Sequence, residues 1–150
     1  MTRRVLAIAS GGGHWVQLRR LQDAFQGIDV AFATVYPDYA CEVVDHRFYS
    51  VPNVSRRNKW HAVKLIAKIA EVLSRERPDV IVTTGAFPGL VAIALGKMLF
   101  GSKTIWIDSI ANCEKLSTSG KTAKYFADVY LTQWPNLANQ GSPDFWGAVL

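Results

Sequence analysis

The stretch Val5-Leu6-Ala7-Ile8-Ala9-Ser10-Gly11-Gly12-Gly13-His14, followed by Trp15, Leu18, Leu21 and Phe25, decides the fold of this chain. Five consecutive apolar residues read as a strand buried on both faces, and three glycines then turn the chain. The later apolar residues recur at helical spacing, so the unit is strand, glycine turn, helix. That order opens a parallel α/β sheet, in which each strand is followed by a helix that returns along the sheet face.

The pattern continues outward. Residues 30–35 form a second apolar run that stops at Pro37-Asp38, and residues 48–51 form a shorter one that stops at Pro52-Asn53. Across residues 58–76, Trp60, Val63, Leu65, Ile66, Ile69, Val72 and Leu73 make a broad apolar stripe. Lys59, Lys64, Lys68 and Arg75 lie mostly off it, which predicts an amphipathic basic helix ended by Pro78. Val80-Ile81-Val82 is the next strand, and Thr83-Thr84-Gly85 turns into a helix apolar all round, with Pro88 in its first turn, expected to be buried. Thr104-Ile105-Trp106-Ile107 is a strand ending at Asp108-Ser109. A polar segment to Thr122, a short helix after it, a strand at Val129-Tyr130-Leu131 and a terminal strand at 145–150 complete the expectation. The predicted architecture is one Rossmann-like, doubly wound parallel α/β domain over residues 1–150.

Composition agrees with a packed core. The 150 residues are 49% hydrophobic and 19% charged, which excludes disorder and disulfide miniproteins. Seventeen Lys and Arg against twelve Asp and Glu leave +5, a balance that suits anionic partners. Cys41 and Cys113 stand far apart in no CxxC or Cys/His cluster, so neither a disulfide framework nor a zinc site is expected, and a reducing cytoplasm is the simplest setting. The most apolar stretch, 85–96, is broken by Pro88 and closed by Lys97, short of the roughly 18–20 residues a spanning helix needs. The basic start Met1-Thr2-Arg3-Arg4 is followed by an apolar run too short for a signal peptide. The expectation is a soluble or peripheral protein.

In doubly wound sheets ligands sit beyond the carboxyl ends of the strands, which singles out the segments 10–14, 83–89 and 108–121. A dinucleotide fingerprint would need a glycine at position 16, which is Val16, and an acidic residue closing the second strand, which is missing. Gly120-Lys121-Thr122 imitates the end of a phosphate-binding loop, but its first glycine would fall at Lys115. What remains is Gly11-Gly12-Gly13-His14, where free N–H groups at a helix start can face a phosphate or simply make a tight turn. His14 is a candidate general base, because the positive end of a helix favours a neutral imidazole. His46, in a loop, and His61, on a charged helix face, offer less. Thr83 to Gly89 reads either as a ligand-facing turn or as an ordinary helix start. Leu116-Ser117-Thr118-Ser119-Gly120-Lys121 reads either as an anion-binding loop or as a plain polar one. The basic helix with Trp60 can meet a membrane surface, the competing use of its apolar face being the core. Nucleic acid is not expected, since no recognition motif accompanies the basic residues.

Taken in order, Gly11-Gly12-Gly13-His14, the Thr83 to Gly89 segment, Ile107-Asp108-Ser109, Leu116 to Lys121, Ala127-Asp128, Gln133-Trp134-Pro135-Asn136-Leu137 and Gly147-Ala148-Val149-Leu150 resemble one family over nearly the whole chain. It is that of the acceptor-side subunit of the bipartite UDP-N-acetylglucosaminyltransferase of dolichol-linked oligosaccharide synthesis, especially its bacterial relatives in exopolysaccharide and capsule assembly. The resemblance implies an inverting, UDP-sugar-dependent GT-B glycosyltransferase split over two chains. This chain would be equivalent to the N-terminal half of the single-chain enzyme that glycosylates lipid I. A donor-binding glycosyltransferase subunit would complete the heterodimer, with a polyprenyl-diphosphate-linked sugar as acceptor and no cofactor or metal.

In that scheme His14 or Asp108 takes the acceptor proton. Gly11, Gly12, Gly13, Thr84, Gly85, Ser117, Ser119, Gly120 and Lys121 hold the acceptor diphosphate or sugar. Phe145, Trp146, Val149 and Leu150 dock the partner. The family often has Glu where this chain has Asp108, which keeps the charge and shortens its reach. The eukaryotic subunit has an N-terminal membrane helix with no counterpart here, which implies peripheral or partner-mediated attachment at the cytoplasmic face of the cell membrane. Two other readings stand beside this one: a noncatalytic scaffold that recruits a transferase to the membrane, and a self-sufficient enzyme for a small phosphorylated ligand.

Overall fold

The computed structural model describes residues 2–54, 59–138 and 142–149. Within them seven strands form one parallel sheet: β1 (Arg4–Ile8), β2 (Asp29–Thr34), β3 (Arg47–Ser50), β4 (Val80–Thr83), β5 (Lys103–Ile107), β6 (Val129–Thr132) and β7 (Asp144–Phe145). Their spatial order is β3-β2-β1-β4-β5-β6-β7. The chain moves outward on one side of β1, returns through α2 (Lys59–Glu76), and moves outward again from β4. The order therefore reverses between β1 and β4, whose register runs from Val5 against Val80 to Ile8 against Thr83. Sheets of this kind open a crevice beyond the carboxyl ends of the strands at such a reversal.

Alternation along β1 supplies both faces of the core. Leu6 and Ile8 pack with Leu65, Ile69 and Leu73 of α2, with Ile93 of α3 (Ala86–Leu95), and with Trp106. Val5 and Ala7 face the other way, to Trp15 and Leu18 of α1 (Gly13–Arg20) and to Phe25 and Phe32. A sheet buried on both faces needs continuous apolar strands, which is why the glycine-ended run at the start of the chain was so informative.

Three expectations need correction. The short helix expected after Thr122 is α4 (Thr118–Ala123), which starts inside the polar segment because the Ser117 hydroxyl accepts from the Gly120 N–H and caps it. The expected terminal strand at 145–150 is only the two residues of β7, paired at Leu131 with Asp144 and Thr132 with Phe145. Beyond it the Val149 N–H donates to a side chain, Gln133 Oε1, at 2.7 Å, so the backbone does not continue the ladder. Finally, α3 is not buried all round. Its first turn leaves Phe87 partly exposed, and the π-helical turn after it, Gly96–Phe100, exposes Met98 and Leu99.

The opposite, amino end of the sheet is held by charges. Arg47 bridges Asp29 at 2.8 Å and Glu76 at 2.9 Å, and the Tyr49 hydroxyl donates to Glu76. Burial alone pushes the Glu76 carboxyl up, but the hydrogen bonds from Arg47 and Tyr49 outweigh it and hold the group below its usual value. A carboxyl depressed in the folded chain adds stability above its unfolded pKa, lost as pH falls through the folded one. The thermal midpoint is therefore expected to drop as pH falls below the usual glutamate value of 4.5. In Glu76→Gln that acid-dependent component should shrink; an acid profile identical to wild type would count against the assignment.

Candidate functional site

The glycine turn follows β1 at the order reversal. Gly12 caps α1 with φ of 66°, a left-handed conformation that glycine adopts without strain. No side chain caps the helix, and the first N–H groups of any helix lack an intrahelical acceptor. A Cβ at Gly11 would overlap the ring of Tyr36, so that residue must be glycine for the turn to pack against the segment after β2. Tyr39 stacks on Trp15 with ring centroids 5.3 Å apart, and its hydroxyl accepts from the Gly12 N–H at 3.4 Å. The turn is thus seated on an aromatic bed, with Tyr36 left open to solvent.

His14 reaches across the reversal to the segment after β4. Its Nδ1 lies 2.9 Å from the Thr84 carbonyl oxygen, and the Thr84 hydroxyl donates back to the His14 carbonyl at 2.6 Å. A carbonyl only accepts, so Nδ1 carries the proton and Nε2 of the neutral ring is the proton acceptor. Gly85 makes room for the ring: it has φ of 116°, and a Cβ there would stand 3.1 Å from both Cε1 and Nδ1 of His14. Its own N–H donates to the Thr83 hydroxyl at 3.1 Å. Thr84 and Gly85, expected to face an acceptor, therefore serve as the cradle that orients His14.

Asp108, the second candidate base, is only 1% exposed. Its carboxylate accepts from Trp106 Nε1 at 3.2 Å, Asn112 Nδ2 at 3.2 Å, the Ser117 N–H at 3.0 Å and the Ser117 hydroxyl at 2.6 Å. Four donors on two buried oxygens make it the hub that folds the loop after β5 back on itself. Ser117 and Gly120 belong to the same hub. The Ser117 hydroxyl is occupied by Asp108 and by the Gly120 N–H, and a Cβ at Gly120 would come within 2.6 Å of Asp108 Oδ1. The Gly120 carbonyl accepts from the Tyr130 hydroxyl, whose pKa burial pushes up to about 12, with a further contribution from the Asp108 charge. Ser119 and Lys121 lie on α4, with Lys121 exposed.

Three polar residues escaped the sequence reading as site residues. Gln17 and Gln133 are 5% and 3% exposed, and Gln133 Nε2 donates to Gln17 Oε1 at 2.6 Å. Ser109 accepts from Gln17 Nε2 at 3.2 Å. Gln17 falls between Trp15 and Leu18 on the buried face of α1, and a polar residue in that position was the available signal. Among the described residues no group of three or more His, Cys, Asp or Glu is arranged to hold a metal ion.

The remaining expected contacts lie farther out. Trp146 is 71% exposed and Phe145 partly so, whereas Val149 is tied down by Gln133 and, at 3.5 Å, by Arg20 Nη1 to its carbonyl oxygen; Leu150 lies outside the described residues. The apolar stripe of α2 is divided. Leu65, Ile69, Val72 and Leu73 enter the core, while Trp60 at 76% exposure, Val63 and Ile66 face outward with Lys64. A groove of about 660 Å³ lined by Val35, Val51, Pro52, Lys64 and Lys68 opens beside them, at the same carboxyl end of the sheet. A cavity of about 710 Å³ bordered by Arg4, Asp29 and Asp79 lies at the opposite end, away from His14. No helix among the described residues is long and apolar enough to cross a membrane.

Comparison with known proteins follows this layout. The chain is 26% identical to the UDP-N-acetylglucosamine transferase subunit ALG14 of Eremothecium gossypii over 181 residues, covering 99% of this chain and 80% of that protein. With the subunit of the same name from Rattus norvegicus it shares 24% over 166 residues, covering 89% and 76%. Among solved structures, MurG of Acinetobacter baumannii matches with a TM-score of 0.75 at 14% identity, over 95% of this chain and 44% of that one. The UDP-N-acetylglucosamine 2-epimerase of Rickettsia bellii matches at 0.68 and 15%, over 91% and 40%. The chain spans less than half of either structure, and the likeness is one of fold: a Rossmann-like sheet resembling the N-terminal region of the GT-B glycosyltransferase MurG. The family model described as "Oligosaccharide biosynthesis protein Alg14 like" matches residues 10–149, from the glycine turn to the tethered tail, and the chain belongs to that family.

Proposed function

We propose that this chain is the acceptor-binding subunit of a two-chain inverting glycosyltransferase, which moves a sugar from a UDP-sugar to a polyprenyl-diphosphate-linked acceptor in polysaccharide assembly. The observation that carries the reading is the His14 imidazole at the carboxyl rim, held by Thr84 through Nδ1 so that Nε2 is the ring nitrogen left to accept a proton. In the step it supports, the acceptor hydroxyl oxygen attacks the anomeric carbon and the hydroxyl proton passes to His14 Nε2. The bond between that carbon and the UDP oxygen breaks, and UDP leaves with the electron pair. The glycine turn and the first N–H groups of α1 receive acceptor phosphate or sugar, where uncapped donors and the helix dipole favour negative charge. Lys121 adds a cation on the same rim. Asp108 acts indirectly by holding the loop after β5, and the UDP-sugar site lies on a second chain.

Two features support the assembly and its location. Exposed Phe145 and Trp146 form the docking segment for the donor-binding chain. Replacing both with alanine should abolish co-purification of that chain while leaving the thermal midpoint unchanged; intact co-purification would remove the segment from the interface. The outward face of α2, with Trp60, Val63, Ile66 and Lys64, lies against the cytoplasmic face of an anionic membrane, where each lysine is worth about 1 kcal/mol. Lys64→Ala with Lys68→Ala should lower binding to vesicles containing anionic lipid at least tenfold, by that same measure. Equal binding of wild type and variant would argue against the contact.

The deciding experiment is purification of the tagged chain from its host in mild detergent, followed by a UDP-sugar transfer assay on the eluate. Transfer that appears only when a second glycosyltransferase chain co-elutes supports the reading. Turnover by the chain alone overturns it.

A further inference from the structure

We propose that Gln17 and Gln133 form a positioning relay through which the C-terminal segment sets the shape of the glycine turn and of the loop after β5. The relay is a continuous path of hydrogen bonds with one sense. The Val149 N–H donates to Gln133 Oε1 at 2.7 Å, and Gln133 Nε2 donates to Gln17 Oε1 at 2.6 Å and to the Asp108 carbonyl at 2.9 Å. Gln17 Oε1 also accepts the Ile110 N–H at 3.1 Å, while its Nε2 donates to the Gly13 carbonyl and to the Ser109 hydroxyl, both at 3.2 Å.

Neither amide can turn over. A flipped Gln133 would set its oxygen against Gln17 Oε1 and the Asp108 carbonyl, and a flipped Gln17 would set its NH₂ group against the Ile110 N–H. Both side chains are more than nine-tenths buried, so an unmade bond is not replaced cheaply by water. The position of Val149 is therefore felt at Gly13 through three consecutive bonds, and at Ile110 through two amides. This inference rests on the proposed role of the C-terminal segment as the docking element. A chain seated on Phe145 and Trp146 then adjusts the acceptor turn without touching it.

The test is site-resolved amide hydrogen exchange on the full chain and on a chain ending at Ala148. The Ile110 amide, bonded to Gln17, is the reporter, and amides of β1 and β4 are the controls. Truncation is expected to speed exchange at Ile110 and across residues 13–17 about tenfold, the worth of roughly one buried hydrogen bond, with the strands unchanged. Gln133→Met is expected to give the same local increase, and truncation in that background should add nothing. Unchanged Ile110 exchange, strictly additive effects, or an equal increase in the strands would each overturn the relay. These outcomes need no second chain. Failure to find a docking partner would therefore remove the proposed function while leaving the intramolecular relay standing, and the reverse result would remove only the relay.

Discussion

His14→Ala is expected to lower sugar transfer by the proposed two-chain enzyme about 100- to 10,000-fold, the usual cost of removing a positioned general base. The loss is expected to fall on turnover, because the glycine turn, the uncapped helix start and the Phe145-Trp146 segment remain. Thermal stability and co-purification of the second chain should be those of the wild type. His14→Asn sharpens the test: its Nδ2 takes the place of the imidazole Nδ1 and can retain the hydrogen bond to the Thr84 carbonyl, yet its amide accepts no proton near neutral pH. Near-normal turnover in either variant takes His14 out of the mechanism. If the alanine variant is silent while the α2 variants lose the membrane, the chain is a scaffold that contributes no reacting group.

Trp106→Ala is expected to cost about 3–5 kcal/mol, the range for deleting a buried indole. In a domain of this length that corresponds to a fall in thermal midpoint of roughly 6–20 °C. The side chain is wholly buried in the core shared by Leu6, Ile81 and Ile93, and its Nε1 also donates to Asp108. Trp106→Phe removes that donor together with part of the indole's volume and should cost less than the alanine change. An alanine variant that melts within 2 °C of wild type would mean that Trp106 does not hold the core of Leu6, Ile81 and Ile93 together.

The parts of the fold legible in the sequence are those with a strong local signal. Residues 5–9 and 80–82 are continuous apolar runs, and strands buried on both faces leave no other sensible reading. The glycine turn was legible for the same local reason. Two things were not. Helix α4 depends on a Ser117 cap that is itself held by Asp108, nine residues earlier, so no local window contains its cause. The terminal segment looked like a strand because residues 145–150 are mostly apolar, but a side chain 16 residues upstream takes the backbone donor that would have extended the ladder.

The site shows the same division. His14 stands out as the residue that follows the turn, whereas its orientation comes from Thr84, 70 positions away, and from the room left by Gly85. Asp108 looked reactive because a carboxylate at a strand end often is; only the fold reveals that every donor around it is pointed inward.

Helix α2 follows the carboxyl end of β3 and, at 1.5 Å per residue, runs about 27 Å toward the opposite end of the sheet. Its first residues, Trp60 and Val63 among them, therefore sit at the same end of the molecule as the glycine turn and His14. Under the proposed function, an acceptor held by its lipid tail in a bilayer would not have to be lifted out to reach the imidazole, and it would arrive by lateral diffusion, in two dimensions. Saturation should then follow the mole fraction of acceptor in the membrane, and diluting it with inert lipid at constant bulk concentration should slow the reaction.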